Sequence, residues 1–237
     1  MGWEDDFMLY GWITWGEKGA LERKELFSAP FLQAAVKRGR WEAVTRRRVR
    51  AAARKLRKAG IVQAVLPEGF GYREELEKEG VFPVSTLALR AEIASDWVRR
   101  ALVDRGMAPS GAKVEVVAES LTAEVVRTVT ELSLRHRYVG LLVPRGGEEL
   151  ARRLRREYGV ALQVNSGQGE QAAAVVQFTK GERQGTSLTL RLWDEGQRLP
   201  PLTLPPNQEE VLPQGADRGQ IIAALRKTGA VKQVMVK

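Results

Sequence analysis

A three-layer α/β fold with a mainly parallel sheet is the architecture this sequence predicts, on three observations. Between residues 61 and 164 short apolar runs alternate with helical periods, the pattern of successive β-α units. The runs are IVQAVLP (61–67), KVEVVAE (113–119), YVGLLVP (138–144) and VALQV (160–164), each β-branched or Leu-rich with little polar alternation, as expected of strands covered on both faces. The segments between the later runs each carry one apolar stripe, the mark of amphipathic crossover helices.

In chain order, FMLYGWITW reads as an aromatic strand at an edge of the main sheet, and the stretch from there to Ala35 is too mixed to assign. A basic helix follows over 45–58, and YREELEKEG (72–80) is a short helix closed by Gly80. TLALRAEIASDWVRRALVDRG places Leu89, Ile93, Trp97 and Leu102 on one stripe and ends at Gly106, with Pro109 as a stop. Val125, Val129, Leu132 and His136 form the stripe of the next helix, and Leu150, Leu154 and Tyr158 that of the one after, with Arg152, Arg153, Arg155 and Arg156 off the stripe. AAAVVQFT (172–179) and SLTLRLW (187–193), separated by KGERQG, read as an added C-terminal hairpin at one sheet edge. Five of the ten prolines fall at 200, 201, 205, 206 and 213 and predict an extended Pro-rich arm; a helix in DRGQIIAALRKTG and a strand in VKQVMVK close the chain. The expected organisation is a strand plus an Arg-rich helix (1–60) packed on a β-α core (61–165), with 166–237 completing the same domain.

Charge is concentrated. Residues 37–58 hold eleven Lys or Arg and one Glu, whereas the whole chain carries a net +9. A basic stripe of this kind is suited to nucleic acid or another polyanion. Arg47, Arg50, Arg54, Arg57 and Lys58 are the candidate phosphate-tracking residues, although an exposed face of an ordinary crossover helix explains the same pattern. There is no Cys and a single His136, which excludes disulfides, thiol catalysis and His-pair metal sites. Only two Asn occur, which fits a thermophilic source. With an acidic N-terminus and no apolar run of bilayer length, the expectation is a cytoplasmic protein with no membrane partner.

Ligand sites of open α/β sheets lie beyond the carboxyl ends of the strands, where helix N-termini present free amides. Here those turns are 67–71, 119–122, 144–148 and 165–167. Arg145, Gly146 and Gly147 form the best anion candidate, with Ser120, Thr122 and Glu68 in the neighbouring turns; the plainer alternatives are a tight turn and helix caps. Glu68, Glu119 and Glu148 each follow a strand, and their convergence would suggest acid-base or magnesium chemistry. The turn at 165–169 is Gly-rich without the Lys-Ser/Thr ending of a P-loop and reads as a flexible linker. His136, between two arginines at a helix C-terminus, reads as structural or solvent-facing, and aromatic Trp3, Trp12 and Trp15 as core or a homodimer surface.

The order strand 113–119, helix, strand 138–143, Arg145, helix resembles the first half of a Rossmann dinucleotide domain, over about a fifth of the chain. The resemblance implies a Rossmann-like sheet, and Arg145 stands where NADP-preferring members of the family meet the ribose phosphate. The sequence departs from the family in its first turn: Ala118-Glu119-Ser120-Leu121-Thr122-Ala123 replaces G-x-G-x-x-G, with no glycine and a carboxylate where pyrophosphate would lie. No catalytic residues stand out, and three functions are expected in order. The first is a non-catalytic or regulatory protein that binds an anionic small ligand or a protein partner at the strand C-terminal turns. Nucleic-acid binding by the Arg-rich helix comes next, then an atypical NADP- or nucleotide-dependent enzyme.

Overall fold

In the computed structural model, which describes residues 10–17, 21–165, 172–180 and 188–237, the strands form a mixed α/β protein with mainly parallel pairing. They sort into two five-stranded sheets, where the sequence suggested one. The chain divides into two compact units, Met1–Thr86 with Thr203–Val234, and Leu87–Leu202 with Met235–Lys237. The run at 61–67 pairs with the N-terminal strand and not with the run at 113–119.

The first unit contains β1 (Tyr10–Trp15), β2 (Glu22–Leu26), β3 (Ala29–Val36), α1 (Glu42–Lys58), β4 (Gln63–Val65), α2 (Arg73–Glu77) and β5 (Phe82–Pro83). Its sheet order is β2-β3-β1-β4-β5. The aromatic strand β1 is therefore central and not an edge, parallel to β3 on one side and β4 on the other. Its own residues require this: Tyr10 and Ile13 point to opposite faces of the pleat and both are fully buried. β2 and β3 are an antiparallel hairpin within the unassigned stretch, turned by Phe27 and Ser28 at φ +51° and +64°. α1 buries Val49, Ala52, Ala53 and Leu56 in a core with Ile13, Ala34, Leu66, Leu76 and Val81.

The second unit contains α3 (Leu87–Asp104), β6 (Lys113–Val117), α4 (Ala123–Arg135), β7 (Tyr138–Leu142), α5 (Gly147–Tyr158), β8 (Leu162–Val164), β9 (Ala174–Gln177) and β10 (Leu188–Arg191). Its strand order is β10-β9-β6-β7-β8, with every pair parallel. Counted from β6 as the first strand, this is the 3-2-1-4-5 order of a doubly wound Rossmann sheet. β9 and β10 pair in parallel, with Leu188 opposite Ala174, so they are not the expected hairpin. Parallel neighbours need a crossover connection, and residues 181–187 between them lie outside the described residues, as do 166–171, which hold most of the expected Gly-rich linker.

The proline-rich stretch is not a uniform arm: β11 (Leu202–Thr203) and α6 (Pro206–Glu209) interrupt it, and Leu202 and Leu204 are buried. α7 (Arg218–Lys227) is N-capped by the Asp217 carboxylate, which accepts from the Gln220 amide at 3.0 Å. The Leu66 amide donates to Gln220 Oε1 at 2.9 Å, which holds the helix to the end of β4 within the first unit. β12 (Met235–Val236) ends the chain in the second unit. Among the described residues no helix is long and apolar enough to cross a membrane.

Candidate functional site

The arginine row of α1 divides between two flanks. On one, Arg50 Nε donates to the buried carboxylate of Glu75, and Arg54 makes a two-pronged pair with Glu79, both bonds 2.8 Å. Arg46 bonds Glu42 at 2.6 Å and lies 4.0 Å from Glu75. These hydrogen bonds, from Arg50 and Arg54 respectively, hold Glu75 and Glu79 below the ordinary carboxylate range and raise both guanidinium values in return. The partners come from α2 and the turn after it, in each case 25 residues on in the chain, so the acidic YREELEKEG segment pairs with two of the row's cations. Two of the five nucleic-acid candidates, Arg50 and Arg54, are therefore already bonded to carboxylates.

The other flank of α1 borders a groove of about 430 Å³ over β3. Arg47, of the original row, lines it together with Lys37, Arg48 and Lys55, which the row did not include, and its floor is apolar. Arg48 Nη1 donates to the carbonyls of Lys37 and Arg38 at 3.0 and 3.3 Å; Lys37 also pairs with Glu17 at 2.8 Å. Arg57 and Lys58 do not line this groove. At about 100° per residue Arg57 lies about 80° round the helix from Arg47, and Lys58, on the same side, lies about three turns further along.

In the second unit the strand C-terminal turns meet in part. Gly146 caps α5 at φ +81°, and a Cβ there would lie 2.9 Å from Leu121 Cδ1, so the turn after β6 touches the turn after β7. A Cβ on Gly147 would lie 2.5 Å from Val164 Cγ1 and 3.0 Å from Val143 Cγ1. Close packing of the α5 N-terminus on β7 and β8 accounts for this glycine. An open cleft of about 400 Å³ runs from Leu121 and Gly146 along α5, lined by Arg152, Arg153 and Arg156 with Glu149. Spacing 149, 152, 153, 156 is one helical stripe beginning next to Gly146, a signal present in the sequence but overshadowed by the basic run of α1.

Arg145 is exposed and does not line that cleft. Thr122 is the N-cap of α4, its hydroxyl accepting from the Val125 amide at 3.4 Å, and Ser120 is exposed in the same turn. Glu68 belongs to the first unit, where its amide donates to the Gly215 carbonyl at 2.9 Å, whereas Glu119 and Glu148 belong to the second. No group of three or more His, Asp or Glu able to hold a metal ion occurs among the described residues.

His136 is buried, not solvent-facing. Its Nδ1 lies 2.7 Å from the Pro109 carbonyl, which can only accept, so Nδ1 carries the proton. Burial pushes its pKa down; the Pro109 bond opposes this and Arg135 adds to it. Of the tryptophans, Trp97 is core, Trp15 packs with Phe70 and Tyr72 at 5.4 and 6.0 Å, Trp41 is 68% exposed, and Trp3 lies outside the described residues.

No protein-family model and no curated protein matches the chain. Among solved structures, a shikimate 5-dehydrogenase-like protein is 13% identical, with 74% of this chain and 67% of the other covered and a TM-score of 0.27. Shikimate 5-dehydrogenase from Listeria monocytogenes, in complex with shikimate and NAD, is 10% identical over 72% and 68%, at a TM-score of 0.28. An arylmalonate decarboxylase is 14% identical over 66% and 86%, at 0.26. Likeness at this level carries no argument about function.

Proposed function

We propose that the second unit binds an anionic small ligand in the cleft between the turn after β6 and the arginine stripe of α5, as a binding or regulatory protein and not as an enzyme. The observation that carries this reading is the convergence of Arg152, Arg153 and Arg156 with the glycine-capped start of α5 on one cleft of about 400 Å³. Guanidinium groups bond phosphate or carboxylate with two parallel N–H donors, and the α5 N-terminus adds favourable potential. Glu149 on the same wall discriminates against a densely charged polyanion and favours a ligand with a hydroxylated or amine-bearing body beside its anionic group.

The NADP reading retains one supporting observation, the Rossmann strand order of the sheet. Glu119 in a glycine-free first turn opposes it, since a carboxylate there repels pyrophosphate. Nucleic-acid binding by the whole α1 row loses support because Arg50 and Arg54 are bonded to Glu75 and Glu79 respectively.

A thermal-shift panel of inorganic phosphate, a sugar phosphate and NADP, at low and high salt, tests the proposal. A ligand selective for the folded state stabilises it by about 2.7 kcal/mol at a hundredfold excess over Kd. The expected result is a shift with the sugar phosphate that survives high salt and is lost in Arg152→Glu/Arg153→Glu. Silence across the panel, or a shift that this variant retains, overturns it.

A further inference from the structure

The groove beside α1 in the first unit is a second candidate site of different chemistry, and it does not depend on the cleft above. Its walls are Leu21, Ala34, Ala35, Val36, Val44, Ala51 and Ala52 together with Lys37, Arg47, Arg48 and Lys55. No carboxylate and no aromatic ring is among these residues. The depth comes from sequence: on α1, positions 44, 48, 51, 52 and 55 face one way, and alanines at 51 and 52 sit between long basic side chains at 47, 48 and 55. Short side chains between long cationic ones make a trough with an apolar floor and a positive rim.

No described residue covers this surface. Val44 is 40% exposed, and Ala51 is exposed although it lies one position from the buried pair Ala52 and Ala53. Arg47 has no ion pair among the described residues, in contrast to Arg46, Arg50 and Arg54 on the opposite flank. A volume of about 430 Å³ lies in the range of small-ligand sites.

From this we infer that the groove binds an amphipathic anion, a small molecule with one acidic head and an alkyl body. The head meets Arg47 and its cationic neighbours on the rim, and the body lies on Val44, Ala51, Ala52 and Val36. Charge complementarity selects the head, since no acid is among the lining residues and Arg47 on the rim has no ion pair among the described residues, whereas Lys37 already pairs with Glu17. The apolar floor selects the body: a nucleic acid would place sugars and phosphates over alanine and valine, without an aromatic ring to stack on.

Isothermal titration of the full chain with alkyl phosphates from butyl to octyl tests this, with inorganic phosphate, octanol and octanoate as comparisons. The expected result is one-to-one binding of octyl phosphate, with affinity rising by up to about fourfold per added methylene. Inorganic phosphate and octanol each bind at least roughly tenfold more weakly. Arg47→Glu and Ala51→Leu, both at exposed positions, each weaken octyl phosphate by roughly tenfold or more, the first by removing the head's partner and the second by filling the trough. Octanoate separates the two head chemistries: binding equal to octyl phosphate assigns a general acid site, and weaker binding a phosphate site. Affinity independent of alkyl length, or unaffected by Ala51→Leu, overturns the proposal, as does a short oligothymidylate that displaces octyl phosphate and is itself insensitive to Ala51→Leu.

Discussion

α1 and α5 are both arginine-rich helices joining parallel strands, yet their charges have opposite fates. On α1 one flank is tied to Glu75 and Glu79 from the following helical segment and the other is left to a groove. On α5 the arginines at 152, 153 and 156 share a cleft with one glutamate of their own helix. A run of charge in sequence thus does not tell how much of it is available. What decides is whether an acidic segment elsewhere folds against the same face.

The first way to test the comparison is to loosen each helix from its sheet. Leu56 and Leu154 are the buried anchors of α1 and α5, and replacing either with Ala removes buried methyls and leaves a cavity, at about 2–5 kcal/mol. Denaturant unfolding of Leu56→Ala and Leu154→Ala should give losses of that size for both. A loss well below it for Leu154 alone would mean that α5 is held by its termini rather than by its stripe.

Gly147→Ala comes next. The added methyl meets Val164 and Val143, the latter buried, and neither can swing away, so overpacking should cost about 1–3 kcal/mol. An unchanged melting temperature would show that the start of α5 can lift from β7 and β8.

Charge reversal should separate the two helices directly. Arg50→Glu sets a new carboxylate against Glu75 and lowers the melting temperature, whereas Arg153→Glu, on an exposed stripe, leaves it nearly unchanged. Equal responses would erase the contrast between them. The acid limb should follow: Glu75 and Glu79 have lowered values, so their stabilisation is present above the ordinary carboxylate range and fades as pH falls through the depressed values. Glu75→Gln should flatten that limb.

The smallest expected effect concerns His136. Its value is depressed below 6.5 by burial, so the unfolded chain takes up a proton before the fold does. The contribution is complete above pH 6.5 and is lost as pH falls from there through the depressed value. As the only histidine, it gives a single Hε1 resonance to follow in a proton NMR titration. A midpoint at or above 6.5 would contradict the buried, neutral ring.

The helices were legible because their stripes are long and end in glycines at 80, 106 and 159, each at positive φ. Strand partnership was not legible, since an apolar run such as 61–67 carries no mark of which neighbour it will join. β2 and β3 escaped for two further reasons. ERKEL is a charged edge strand without alternation, and the turn Phe27-Ser28 holds two non-glycine residues at positive φ, where a glycine or asparagine would have announced a hairpin. At the candidate sites, helical spacing on α1 gave Arg47 of the groove but not Arg48 or Lys55, and on α5 it set the arginines off the apolar stripe without marking them as a site. The pairing of Arg50 and Arg54 with residues 25 positions away, and the hollow made by Ala51 and Ala52, depend on contacts between elements that spacing along one helix does not encode.

The hairpin also has a kinetic consequence. Within the two five-stranded sheets β2 and β3 are the one antiparallel pair among the described residues, and every other pairing must close a longer loop before any ladder bond forms. Loop closure is cheapest at the hairpin, so the order of events in folding should begin there. Its turn opposes this, because each non-glycine residue at positive φ costs about 1–2 kcal/mol. Ser28→Gly should therefore speed refolding and leave the unfolding rate almost unaltered in stopped-flow experiments; slower unfolding with refolding unchanged would instead place the hairpin late, after β1 has joined β3.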